Sequence, residues 1–119
     1  MSYTEELLLK ADEVIPRVTL DDFNNDSNPK VMIDVRQYEE LQVSGTVQGS
    51  LHIPKGVIEF RLNSNDEISF DTSVYVFCAV GVRSAIAGYN LKKVGYQKVF
   101  NLVGFQDILD QGAEKQFLI

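Results

Sequence analysis

The 119 residues contain one cysteine, Cys78, which directly follows the β-branched and aromatic run Ser73-Val74-Tyr75-Val76-Phe77. The next five residues, Ala79-Val80-Gly81-Val82-Arg83, place a glycine mid-loop and an arginine at the loop's end. Gly81 permits backbone conformations that turn consecutive N–H groups inward. With the unsatisfied donors of a following helix's first turn, such amides form an anion cradle. A thiol held there is biased toward thiolate by the helix dipole and by Arg83, which lowers its pKa from about 8.5 toward neutrality. Nucleophile and anion site then coincide, as covalent group transfer requires. Against this stands a plain alternative, because free cysteine is among the most buried residue types and can serve simply as a small core hydrophobe. On these residues alone the two readings stand level.

Other chemistry-bearing residues are fewer. His52 is the only histidine. It precedes Pro54 on an expected strand, and a structural role is favoured over that of a general base. One His and one Cys supply no zinc set, and no Cys-x-x-Cys pair exists for dithiol chemistry. Asp34 and Arg36 flank a strand end, with Arg36 in reach of Glu39 or Glu40, and a local salt bridge is the expected arrangement. Lys55, Glu59 and Arg61 read as solvated surface.

Short apolar strands alternating with amphipathic helices must position these groups. Thr4 ahead of Glu5 and Glu6 suits a helix start, and that helix is expected over 1–16, to the Pro16 break. Thr19 with Asp22 forms a capping pair for a short helix ending near Asn24. Strands are expected at Val31–Val35, Ser50–Ile53, Ser73–Phe77 and Lys98–Leu102, and helices at Gln37–Leu41, Val57–Leu62, Ser84–Val94 and Phe105–Gln111. Gly45–Gly49 reads as loop. This alternation predicts an α/β fold with a parallel sheet covered on both faces. Ligands in such sheets sit beyond the carboxyl ends of strands, which is where Cys78 falls.

Composition limits the partners. At 13.4 kDa the chain has the size of one domain, expected to span 1–119, and can bury a core without disulfides or metal. A net charge of −6 and no Lys/Arg run argue against nucleic acid. No apolar run approaches the ~20 residues that span a bilayer, and the acidic N-terminus is unlike a signal peptide. The chain therefore reads as cytoplasmic, in a compartment where a free thiol stays reduced.

Several separated segments resemble the rhodanese homology domain. Ile33-Asp34-Val35-Arg36 with Tyr38-Glu39-Glu40 is similar to its first motif, and Gly45 to Pro54 to its second. Cys78-Ala79-Val80-Gly81-Val82-Arg83-Ser84-Ala85 resembles the active-site loop. Val94-Gly95-Tyr96, Val99 and Leu102-Val103-Gly104-Phe105 are similar to the closing strand and turn. The likeness runs over residues 31–112 in the correct order. Thr46 and Gln48 depart from the second motif, no Trp follows the final glycine turn, and Ala79 stands where many thiosulfate-using members carry a basic residue.

The resemblance implies a three-layer α/β/α fold around a mostly parallel five-stranded sheet. It also implies sulfurtransferase activity in which the Cys78 thiolate takes a sulfane sulfur from thiosulfate or a related donor. The resulting persulfide passes that sulfur to cyanide, a thiol or a sulfur-accepting protein. Residues Ala79 to Arg83 are expected to line the cradle, with Asp34, Arg36 and Ser84 supporting it from behind. No metal or cofactor is expected, since the chain itself carries the sulfur. The rivals are a non-catalytic rhodanese-like binding or redox-sensing module and a cysteine-dependent phosphatase. The phosphatases of this fold need arginine six positions after cysteine; here it lies five positions on, and residue 84 is serine.

Overall fold

The computed structural model describes residues 2–118. Its central strand, β4 (Ser73–Cys78), is buried at every position, so both of its faces must be covered. Side chains alternate across a strand. Val74, Val76 and Cys78 therefore join one core layer with Ile15, Ile58, Leu62, Ala87 and Leu91. Tyr75 and Phe77 join the other with Leu20, Leu102, Phe105 and Ile108. The first layer is covered by α1 (Tyr3–Val14), α4 (Ile58–Asn63) and α5 (Val82–Val94), the second by α2 (Leu20–Asn25) and α6 (Phe105–Asp110). A short α3 (Tyr38–Ser44) links β1 (Lys30–Asp34) to the strands β2 (Thr46–Val47) and β3 (Leu51–His52). This is the expected three-layer α/β/α arrangement.

The main sheet has four parallel strands in the order β3-β1-β4-β5, with β5 spanning Lys98–Gly104. The expectation of five strands is corrected here. Beside β5 the chain forms only an isolated parallel bridge between Arg17 and Asn101. Two bonds hold it, from the Asn101 N–H to the Pro16 carbonyl and from the Val18 N–H to the Asn101 carbonyl, both 2.9 Å. Pro16 has no N–H to give the ladder, and the capping box of Thr19 and Asp22 turns the chain into α2 immediately afterwards.

Other local expectations also shift. Ser2, not Thr4, caps α1, accepting from the Glu5 N–H. The segment read as loop around Gly45–Gly49 contains β2, which pairs antiparallel with β6 (Lys115–Gln116). Helix α5 begins at Val82, two residues earlier than Ser84.

One irregularity bears directly on the site. Along β4 and β5, Val76 faces Asn101 while Phe77 faces Val103, so Leu102 is an extra residue in β5. Such a bulge bends its strand and re-aims side chains. Val103 has φ +76°, a costly conformation for a β-branched residue.

Candidate active site

Cys78 is the last residue of β4 and is 1% exposed. The chain reverses through Ala79 and Val80, and at Gly81 it adopts φ +98° before α5 begins. That conformation is left-handed, so glycine fits it without strain. It brings the Gly81 N–H to 3.0 Å from Cys78 Sγ. A side chain at Gly81 is excluded for a second reason, since a Cβ there would lie 2.8 Å from Val103 Cγ1. Gly104 likewise leaves room for the loop, because a Cβ on it would sit 2.7 Å from the Ala79 carbonyl oxygen.

Burial alone would push the Cys78 thiol up. It is outweighed by bonds from the Ser84 hydroxyl and from the Ser84, Gly81 and Val80 amides, and the pKa lies below the ordinary 9.0. A backbone N–H aimed at the sulfur from a glycine turn at the start of a helix is what a bound anion needs. Ser84 Oγ lies 3.4 Å from Sγ and 2.8 Å from Asn101 Oδ1. A hydroxyl has one proton, so it serves one acceptor at a time.

Asn101 is buried beneath the cradle. Its Oδ1 also accepts the Val103 N–H at 2.9 Å, and its Nδ2 donates to the Gly81 carbonyl at 3.1 Å. One amide therefore holds the bulge, the glycine turn and the serine together. Asn101 falls within the last expected strand, and the sequence alone gives it no role. The available signal was a lone amide in the apolar run Val99-Phe100-Asn101-Leu102, since a polar group buried in a sheet must find partners.

The other expected residues divide into two groups. Ala79 and Val80 are exposed at the loop tip, and Gly81 is buried. Arg83 does not stand free beside the sulfur. Its guanidinium binds the Glu40 carboxylate of α3 through both Nη atoms, with Nη2–Oε2 at 2.9 Å. The Arg83 pKa is raised, first by Glu40 and to a lesser degree by charge at Cys78. Arg36 was expected to reach Glu39 or Glu40, but its side chain pairs with Asp34, Nη2–Oδ2 2.8 Å and Nε–Oδ1 3.0 Å. This buried pair also takes a bond from Thr46 Oγ1 to Asp34 Oδ2 and gives bonds to Ser44 Oγ and the Gly45 carbonyl. Arg36 Cζ lies 4.2 Å from the Phe105 ring centroid. Among the described residues no side-chain bond from Asp34 or Arg36 goes to residues 78–84. His52 Nε2 is 2.7 Å from the Arg36 carbonyl, a structural contact. No cluster of three His, Cys, Asp or Glu side chains among the described residues could hold a metal ion.

Comparison with known proteins decides the family, as the Rhodanese-like domain matches residues 19–108. The chain belongs to the rhodanese-like family. The match begins earlier than the motif likeness, at Thr19, and ends at Ile108. A curated Bacillus subtilis protein named "Putative sulfur carrier protein YrkF" is 39% identical over 100 residues, 78% of this chain. The chain spans 50% of that relative's length. Among solved structures, an Escherichia coli rhodanese with anions is 30% identical with a TM-score of 0.66, covering 75% of this chain and 99% of that one. The human single-domain sulfurtransferase TSTD1 is 25% identical with a TM-score of 0.69, covering 80% of this chain and 96% of that one. In this rhodanese-like chain the cysteine loop, the bulge of β5 and the N-terminus of α5 form one unit.

Proposed function

We propose that the protein is a sulfurtransferase that carries a sulfane sulfur on Cys78. The observation that bears most weight is the Gly81 N–H at 3.0 Å from Cys78 Sγ, where a strand end meets a helix start. In this reading the donors that favour the thiolate also favour a persulfide anion. Residues 79–83 form the cradle in this reading, and Ser84 with Asn101 holds it in shape. Family membership and the names of the relatives support sulfur transfer as the chemistry.

The cycle balances without a cofactor. The Cys78 thiolate attacks the outer sulfur of thiosulfate, the S–S bond breaks, and sulfite leaves with the electron pair. Cys78 is then a persulfide. In the second half, cyanide or a thiolate attacks the outer persulfide sulfur, leaving as thiocyanate or a new persulfide, and the Cys78 thiolate returns. The acceptor can be a small thiol or a cysteine of a sulfur-accepting protein, and a reducing cytosol would keep Cys78 available. No described helix is long and apolar enough to cross a membrane.

Thiocyanate production from a sulfane donor and cyanide tests this reading. Turnover that is lost in Cys78→Ser supports it. Turnover undiminished by that substitution, or p-nitrophenyl phosphate hydrolysis that depends on Cys78, contradicts it.

A further inference from the structure

Glu40 lies 38 positions before Cys78, yet α3 brings it against Arg83 at the end of the cysteine loop. Its two carboxylate oxygens take both Nη groups of Arg83. Oε1 also accepts the Gln37 N–H at 3.1 Å, closing the capping box of α3. The pair is about one third exposed on each side, 35% for Arg83 and 34% for Glu40. Arg83, the last residue of the cysteine loop, thus has its fork already filled by a carboxylate. Ala79 and Val80 are exposed at the loop tip, and Val80 is 72% exposed. Neither adds charge. The whole chain is acidic, at −6, so the long-range field also opposes an anion.

From this geometry we infer that Glu40 sets donor specificity, turning the site away from small dianions such as thiosulfate toward sulfane sulfur carried on a thiol. The inference rests on the sulfur-transfer reading above. A dianionic donor must displace Glu40 from Arg83 or approach an ion pair with no net charge. A thiol persulfide carries no sulfonate to seat on that fork, and its R–S–SH form is uncharged at sulfur. The Cys78 thiolate attacks its outer sulfur, the S–S bond breaks, R–S⁻ leaves with the electron pair, and the proton stays on the transferred sulfur. The apolar Val80 tip suits the R group of such a donor better than it suits sulfonate oxygens. Glu40 acts through Arg83 and is a positioning residue. The charged groups that bear on Cys78 are Arg83 from α5 and, through it, Glu40 from α3; β5 presents the uncharged Asn101.

Glu40→Gln tests the inference with little risk to the fold, because the amide oxygen can still accept the Gln37 N–H. Initial rates are measured with thiosulfate and with cysteine persulfide in the wild-type protein and the variant. The expected result is a rise of about fivefold or more in kcat/KM for thiosulfate, with the persulfide value within about twofold. A second readout needs no sulfur transfer, namely the ratio of Cys78 alkylation rates by iodoacetate, an anion, and by neutral iodoacetamide. That ratio cancels changes in thiolate fraction and should rise several-fold in the variant. Unchanged thiosulfate kinetics or an unchanged alkylation ratio in Glu40→Gln overturns the inference and leaves the sulfurtransferase reading standing. No sulfur uptake by the wild-type protein from either donor overturns the sulfurtransferase reading and donor selection with it.

Discussion

At the scale of single residues, reactivity turns on one proton. Ser84 Oγ is closer to Asn101 Oδ1, at 2.8 Å, than to Cys78 Sγ, at 3.4 Å. While Cys78 is a thiol, the hydroxyl proton is best placed on Asn101, and the serine oxygen can face the S–H. Ionisation turns that proton toward the sulfur, since a charged acceptor outcompetes a neutral one. Ser84→Ala removes this hydroxyl donor and should raise the thiolate pKa, while the backbone N–H groups of residues 80, 81 and 84 remain. The pH dependence of iodoacetamide alkylation reads this directly. The wild-type inflection is expected below the ordinary thiol value of 9.0, with that of Ser84→Ala at higher pH. An inflection that stays in place would remove Ser84 from the account. Glycine and arginine after Cys78 mark a candidate loop in the sequence, but those residues alone left a buried core cysteine equally open. Glu40 was not recognised as the partner of Arg83, because a contact between residues 43 apart depends on where α3 packs.

At the scale of elements, the cradle is a joint between β4, the turn at Gly81 and the bulge of β5. Gly81 at φ +98° and Val103 at φ +76° pack against each other, so two unusual backbones are held in register by the Asn101 side chain. Gly81→Ala combines a left-handed residue with a 2.8 Å approach to Val103 Cγ1. It should destabilise the fold by about 1–3 kcal/mol, measured by urea denaturation. Displacing the Gly81 amide should also lower turnover by about tenfold or more. Wild-type stability and turnover in this variant would show that the turn relaxes freely. Strand and helix order was readable from hydrophobic alternation, most clearly for β4 and α5. The bulge was not, because a single added residue in Val99-Phe100-Asn101-Leu102-Val103 leaves composition unchanged. The short β2–β6 pair was also hidden, since two-residue strands carry no period.

At the scale of the whole molecule, charge and topology act together. The four-stranded parallel sheet needed only the alternation of elements to be anticipated, whereas the loss of a fifth strand depended on Pro16 and the cap at Thr19. The Arg83–Glu40 pair ties α5 to α3 across the site, and Arg83 holds the Glu40 carboxyl down to about 2 against burial, from an ordinary 4.5. A carboxyl with a depressed folded-state pKa contributes stability above its unfolded value and loses it as pH falls through the folded one. The contribution of this pair should therefore fade between about pH 4.5 and 2. In thermal unfolding across that window, Glu40→Gln should lose less stability than the wild-type protein as acid is added. Equal slopes would show that the pair contributes nothing to the fold. The central claim, that Cys78 carries sulfur, is tested most directly by the intact mass of the protein after incubation with a sulfane donor. The expected result is a gain of one sulfur atom that is reversed by cyanide and absent in Cys78→Ala. An unchanged mass with thiosulfate and with a thiol persulfide alike would contradict it.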